Sequence, residues 1–139
     1  MNWLTWSLLS ALFAGLTAVF AKLGVSGMGS NLATAIRTCV VLVLAWAVAI
    51  ATNETATLAA VNRRQWLFLV LSGLATGLSW LCYFRALQIG EASRVAPVDK
   101  LSVVFVLLFA ALILHEPITW KSAGGAMLIV CGGVLLAAK

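Results

Sequence analysis

Five apolar segments, each close to twenty residues long, take up most of the chain. They cover residues 3–22, 32–51, 66–86, 95–114 and 120–138. A helix needs about 20 mostly apolar residues to cross a hydrocarbon core of ~30 Å. The pattern therefore predicts an all-α membrane protein with five transmembrane helices and short connections.

The low charge content excludes a soluble globule. Only 9% of the 139 residues are charged and the mean hydropathy is +1.10, whereas average proteins carry roughly a quarter charged residues. The net charge of +5 is scattered, with no basic run longer than Arg63-Arg64. We therefore expect membrane lipids rather than nucleic acid as partners. The length predicts a single domain over residues 1–139, and residues 3–22 lack the basic start of a cleaved signal peptide.

Few residues offer catalytic or metal-binding chemistry. Cys39, Cys82 and Cys131 lie inside apolar segments, and His115 is the only histidine. No pair has zinc-ligand spacing, and we find neither a nucleophile–base set nor a phosphate-binding glycine loop. The sequence predicts no metal, no cofactor and no enzymatic activity.

The positive charges of the loops are shared evenly between the two sides of the membrane. Five spans place them in two sets of three: Arg63, Arg64 and Lys121 against Lys22, Arg94 and Lys139. Orientation follows an excess of Lys and Arg in short loops, and a chain without such an excess can insert in both directions. The sequence therefore favours dual topology and an antiparallel homodimer.

Six ionisable residues are predicted at one depth, a turn or two inside the same boundary. They are Arg37, Arg85, Glu91, Arg94, Asp99 and Lys100. Ionisable groups inside a membrane are costly unless paired or hydrated, and they indicate a functional site by default. For Arg37 and Arg85 we favour a structural role, as clamps between helices or phospholipid contacts, over a place in the transport pathway.

Asp99 and Lys100 are adjacent, and helical geometry predicts that they point ~100° apart. Neither has an opposite charge three or four positions away, so we expect each to find its partner elsewhere. If the fourth helix begins at Pro97, Asp99 lies in its first turn, where the helix dipole favours an acid. Lys100 then either snorkels to the interface or, as we favour, has a functional role.

The third segment carries a polar stripe at helical spacing, formed by Ser72, Thr76, Ser79 and Tyr83. Gly73, Gly77 and Trp80 line the adjoining strip, and the fifth segment holds Gly124, Gly125, Gly132 and Gly133. Small residues let membrane helices approach closely, so the glycines are predicted contacts between helices or subunits. The stripe is either such a seam or a hydrated groove leading to Arg85, walled by Trp80 and Tyr83.

The passage Tyr83-Phe-Arg-Ala-Leu-Gln-Ile-Gly-Glu-Ala-Ser-Arg-Val-Ala-Pro97 resembles the connection between helices 3 and 4 of EamA-type proteins, members of the drug/metabolite transporter superfamily. Leu114-His-Glu-Pro-Ile-Thr119 is similar to that family's Leu-Gly-Glu-x-x-Thr turn, with His115 in place of Gly. Residues 125–134 look like its glycine-rich last helix, and the related small multidrug resistance proteins dimerise through a similar helix. Arg37 falls where EamA repeats often have an arginine.

The resemblance implies a half-size transporter, because larger members contain two inverted five-helix repeats. A site at the membrane midplane would then be assembled from two oppositely oriented copies. Small multidrug resistance proteins couple to protons through a glutamate in helix 1, but residues 3–21 contain no acid. That mechanism is not transferable, and Asp99 is the intramembrane acid we nominate if protons are coupled.

Together these features predict an inner-membrane secondary transporter that moves a small polar or amphipathic metabolite by alternating access. The excess of cations favours a substrate with a carboxylate or phosphate. The predicted pathway consists of Lys100, Asp99, Arg37, Arg85, Trp80, Tyr83, Ser79 and Thr76. The alternative is a non-transporting or lipid-handling subunit that requires a different partner, since short relatives are thought to work as paired subunits.

Overall fold

A computed structural model describes residues 2–138, and over that range the regular structure is entirely helical. Six α-helices occur in chain order: α1 Trp3–Gly24, α2 Ser30–Ala51, α3 Arg63–Ile89, α4 Ala92–Asp99, α5 Ser102–Ile113 and α6 Trp120–Ala137. Since α4 and α5 together form one apolar stretch, the described chain has five helical segments long and apolar enough to cross a membrane. The prediction of an all-α membrane protein with five such segments is confirmed.

The predicted segment bounds agree with the observed ones to within about three residues at each end. The longest connection, between α2 and α3, contains a short helix of its own. Asn53 takes a left-handed backbone conformation (φ 58°) after α2, and a 3₁₀ helix follows at Glu54–Ala60 and packs against α2. Because a 3₁₀ helix rises only ~2.0 Å per residue, this connection spans a shorter distance than an extended loop of the same length would.

The chain divides into two compact units, which are described separately. The first unit combines the residues up to Phe20 with those from Ile89 onwards, and the second unit is Ala21–Gln88. Lys139, which we counted among the loop charges, lies outside the described residues.

The second unit has a small apolar core at the end where α2 begins and α3 ends. Leu87 is 0% exposed, Val25 2% and Phe84 3%, and Ala21 and Ala33 are buried with them. Ser30 and Thr34 are also buried, and the Thr34 hydroxyl donates to the Ser30 carbonyl (2.9 Å), which satisfies it inside its own helix. The tightest packing of this unit therefore lies at one end of its helices.

In the first unit, α4 and α5 pack against α6. Helix α6 starts at a capping box, in which the Thr119 hydroxyl accepts from the Ser122 amide (3.1 Å) and the Ser122 hydroxyl accepts from the Thr119 amide (3.0 Å). This arrangement fixes the start of α6 and hence the register of its glycines.

Most large apolar side chains are exposed on the surface of the single chain, including Trp3, Phe20, Leu78 and Leu135. A soluble protein of this size would aggregate with so much apolar surface. In a bilayer, lipid or another membrane helix covers such a surface, which agrees with the five apolar segments.

Candidate functional site

Arg37 lies about two turns into α2 and is half-buried against α3. Its guanidinium carbon lies 4.1 Å from the ring centroid of Trp80 and 5.7 Å from that of Phe84. Both distances are within the range of a cation–π interaction. We call these three residues the Arg37 cluster.

The Arg37 cluster arises from the spacing of α3. Trp80 and Phe84 are four residues apart and so lie on one face of the helix, directed towards α2. Phe84 belongs to the buried core, and Tyr83 packs edge-on against it with ring centroids 6.5 Å apart. The aromatic wall that holds Arg37 is therefore fixed by the core of the second unit.

No carboxylate balances Arg37 within this unit. The two ion pairs found among residues 2–138 are Arg94–Glu91 and Lys100–Asp99, and neither includes Arg37. The only acid between residues 21 and 88 is Glu54, in the 3₁₀ helix beyond the far end of α2. A guanidinium has five N–H donors. The aromatic faces that hold Arg37 do not accept these donors in the hydrogen bonds that a carboxylate would form. The cluster is thus suited to bind a carboxylate or phosphate.

The fourth span is interrupted near its middle. Helix α4 ends at Asp99 and α5 begins at Ser102. The amides of Lys100, Leu101, Val103 and Val104 donate to carbonyls three residues back, at Pro97, Val98, Lys100 and Leu101. This is the 3₁₀ pattern, and we call residues 97–104 the fourth-span break.

Two features explain the fourth-span break. Pro97 lacks an N–H and cannot donate to the Ser93 carbonyl, which weakens the α-helix where the tighter winding begins. On α6, Gly133 is buried beside it: a Cβ built there would lie 3.3 Å from Leu101 Cδ2 and 3.4 Å from the Pro97 carbonyl oxygen. The missing side chain of Gly133 allows the break to pack closely on α6.

The interpretation of Asp99 as an acid at a helix start is wrong. It required the fourth helix to begin at Pro97 with Asp99 in its first turn, but α4 begins at Ala92 and Asp99 is its last residue. The dipole argument is reversed, because the carboxyl end of a helix favours a cation and disfavours an acid. Lys100 directly after α4 is in the favourable position. With eight residues of α4 before it, Lys100 lies about 12 Å along the span.

The prediction that Asp99 and Lys100 each find a partner elsewhere is also wrong. Lys100 Nζ lies 3.6 Å from Asp99 Oδ2. The prediction assumed a continuous helix, in which neighbouring side chains diverge; here the helix ends between them and the long lysine side chain turns back. Both side chains stay accessible on this chain, 57% exposed for Lys100 and 40% for Asp99. At this distance and exposure the pair is a weak ion pair.

The other predicted pathway residues lie on α3. Thr76 donates its hydroxyl to the Ser72 carbonyl (2.9 Å), an interaction within one helix. The Arg85 guanidinium donates to the Gln88 side-chain oxygen (2.6 Å), and the cation stacked on Trp80 is Arg37. Thus the structure brings together Arg37, Trp80 and Tyr83 within the second unit, and Asp99 with Lys100 in the first.

Among the predicted packing glycines, Gly133 alone meets a neighbouring residue closely; Cβ atoms built at Gly73, Gly77, Gly125 and Gly132 would have nothing within 4 Å on the described chain. Their role in contacts between subunits stays a prediction. Sequence reasoning missed Phe84 as a partner of Arg37. The spacing of four between Trp80 and Phe84 would have revealed it.

The fold and these two arrangements define a multi-pass, all-α membrane protein with ionisable side chains inside its spans. The model of the EamA-like transporter family matches residues 1–138. The chain belongs to this family, and its general function is that of a membrane transporter protein.

Curated relatives agree with that assignment. The chain is 52% identical over 136 residues to an uncharacterized transporter encoded in the cobO 3′ region of Sinorhizobium sp., covering 98% of this chain and 96% of the relative. It is 35% identical over 75 residues to a probable 4-amino-4-deoxy-L-arabinose-phosphoundecaprenol flippase subunit ArnE of Enterobacter sp. (strain 638). These residues cover 54% of this chain and 70% of the relative.

A third relative is longer. The uncharacterized transporter YvbV of Bacillus subtilis is 34% identical over 71 residues, which are 51% of this chain but 23% of that protein. No solved structure is significantly similar to the chain. The names of these relatives are those of transporters and of a flippase subunit.

Proposed function

We propose that the protein is a secondary transporter that moves a small polar or amphipathic metabolite across the inner membrane by alternating access. The observation that carries this proposal is the Asp99–Lys100 pair at the fourth-span break, inside an apolar span. Interrupted membrane helices place backbone groups and helix ends around substrate and ion sites in many transporters. Family membership supports transport as the general activity.

The substrate class follows from the charges. Lys100 is the more exposed member of a weak ion pair, and Arg37 has no carboxylate partner among the described residues. A substrate carboxylate or phosphate that replaces Asp99 beside Lys100 would leave Asp99 able to take up a proton or a cation. Binding would then couple to the protonation or ion occupancy of Asp99, which is the differential interaction that alternating access requires.

We further propose that residues 1–139 act as one EamA-like domain and that two copies assemble as an antiparallel homodimer. The single family match over residues 1–138 supports one domain. The balanced loop charges support dual topology, and the much greater length of YvbV agrees with larger members that contain more than one such repeat. The open surfaces at Gly73, Gly77, Gly125 and Gly132 are suited to close contact between copies.

The test is uptake into proteoliposomes, screened with a panel of radiolabelled amino acids, dicarboxylates and sugar phosphates. Lys100→Ala and Asp99→Asn are expected to abolish most of the uptake of whichever compound the unaltered protein transports. Lys121→Ala is the matched control, because Lys121 lies in the first turn of α6 and outside both arrangements. Normal transport by both Lys100→Ala and Asp99→Asn would contradict the assignment.

A second candidate function is a lipid-handling or non-transporting subunit that needs a different partner chain. The similarity to ArnE, which is named a flippase subunit, favours this alternative. Purification of the chain alone separates the two: a stable homodimer active in the uptake screen supports the transporter. A chain that is unstable or inactive until a second membrane protein is co-expressed supports the subunit. Crosslinking with tagged copies distinguishes antiparallel from parallel arrangements.

A further inference from the structure

A cleft of about 600 Å³ opens in the second unit, where α1 ends, α2 begins and α3 ends. It is lined by Lys22, by Gln88 and by residues of the connection between α1 and α2, including Ser26 and Gly29. Lys22 carries the one charge among the lining residues. None of its lining residues belongs to the Arg37 cluster or to the fourth-span break.

Side chains from two helices fix the walls of the cleft. Lys22 Nζ donates to the Leu87 carbonyl (2.6 Å), and Gln88 Nε2 donates to the Met28 carbonyl (2.9 Å). Both bonds join α3 to the chain around the α1–α2 connection, across sequence separations of 65 and 60 residues. Val25, which lines the cleft, belongs to the buried core. The cleft is therefore a built feature of the best-packed end of the unit.

The electrostatic environment of the cleft is positive. Arg85 donates to the Gln88 side-chain oxygen (2.6 Å), which brings a second cation next to a lining residue. The Lys22 ammonium keeps its positive charge while it donates to the Leu87 carbonyl. The start of α2 adds partial positive charge, because Gly29 at its N-cap offers no side chain to cap it.

The sequence of this unit contains a single acid. Glu54 is the only carboxylate between residues 21 and 88 and follows the far end of α2. The 22 residues of α2 place it roughly 33 Å away from the cleft, well beyond the screening length at physiological salt, which is ~8 Å. Helix ends of a membrane protein lie at the level of the lipid headgroups, so phosphate is the anion available to the cleft.

We propose that this cleft binds a phosphate group, with Lys22 and Arg85 as its cations and the Ser26 hydroxyl as a neutral donor. The phosphate belongs either to a membrane phospholipid or to a soluble phosphate ester. This binding goes beyond the proposed transport function and does not depend on it. A bound phosphate next to Lys22 would strengthen the attachment of the α1–α2 connection to the end of α3.

The test is native mass spectrometry of the purified protein in neutral detergent, titrated with dioleoylphosphatidylglycerol and, separately, with dioleoylphosphatidylcholine. One cation near an anionic headgroup contributes about 1 kcal/mol, which corresponds to about fivefold in affinity. We expect phosphatidylglycerol to bind at least fivefold more tightly than phosphatidylcholine. Ser26→Asp adds an acid to the cleft without removing either hydrogen bond and should lower that affinity about fivefold.

The controls separate this site from general attraction to a basic protein. Thr57→Asp adds the same charge to the exposed 3₁₀ helix at the other end of the unit and should change the affinity less than twofold. Lys22→Gln should weaken phosphatidylglycerol binding, whereas Lys22→Arg should retain it. Equal affinities for Ser26→Asp and the unaltered protein, or equal losses for Ser26→Asp and Thr57→Asp, would overturn the proposal.

Inorganic phosphate identifies the source of the ligand. If millimolar phosphate displaces phosphatidylglycerol from the unaltered protein but not from Ser26→Asp, the natural ligand is a soluble phosphate ester. Retention of the lipid in the presence of phosphate, with the same dependence on Ser26, would support a phospholipid headgroup. Because no transport is measured, failure of the proposed transport function leaves this result unaffected.

Discussion

In the second unit, Arg37 lies on a continuous helix and is held against Trp80 and Phe84, whereas in the first unit Asp99 and Lys100 lie where a span is interrupted. The aromatic wall around Arg37 is part of a buried core. The ion pair, by contrast, is formed by adjacent residues that are both partly exposed. Arg37 is stabilised by rigid packing. Asp99 and Lys100 stabilise each other at a local change of helical winding.

The difference suggests a division of roles within the proposed transporter. A cation fixed by a core has one geometry and is suited to recognise an anionic group. A loose pair beside a helix break can separate when a substrate or ion competes for either member. The Arg37 cluster would then provide recognition, and the fourth-span break would provide the change of state.

The largest expected effect tests the rigidity of the Arg37 cluster. Phe84→Ala removes a ring that is 3% exposed and should lower the free energy of unfolding by about 3 kcal/mol, as for other buried aromatic residues. Phe105→Ala, at a position 59% exposed in the first unit, should cost less than about 1 kcal/mol. Reversible unfolding in mixed micelles measures both. Equal costs would contradict the difference in packing between the two regions.

An intermediate effect is expected at Gly133. Gly133→Ala places a methyl group 3.3 Å from Leu101 Cδ2 and 3.4 Å from the Pro97 carbonyl, and the strain should cost about 1–2 kcal/mol of unfolding free energy. Gly132→Ala is the matched control, since a Cβ there meets nothing within 4 Å. It should be neutral or slightly stabilising, because alanine favours helix over glycine. A cost at Gly132 equal to that at Gly133 would refute the packing of the break on α6.

The smallest effects come from double-mutant cycles on the two charged arrangements. Arg37→Gln with Trp80→Leu should give a coupling energy of about 1 kcal/mol, as expected for a partly desolvated cation–π pair. Asp99→Asn with Lys100→Gln should give about 0.5 kcal/mol, because both partners are partly exposed at 3.6 Å. The same unfolding measurement yields both values. A stronger coupling for Asp99 and Lys100 would reverse the proposed roles.

Hydrophobic periodicity and length were sufficient to predict the five apolar spans, since these depend on local composition. The interruption of the fourth span was not predicted, because residues 103–114 are apolar throughout and Pro97 was interpreted as a helix start. The break packs closely on Gly133, which is 36 positions beyond Pro97, and such a distant contact has no local signal in the sequence. The pairing of Arg37 with Trp80 likewise depends on how α2 and α3 pack.

The 3₁₀ winding at the fourth-span break also has a mechanical consequence. A residue in a 3₁₀ helix advances ~2.0 Å and turns ~120°, against ~1.5 Å and ~100° in an α-helix. If four residues of the break rewound from one form to the other, α5 would shift by ~2 Å along its axis and rotate by ~80°. This rewinding would present a different face of α5 to its neighbours without bending the helix.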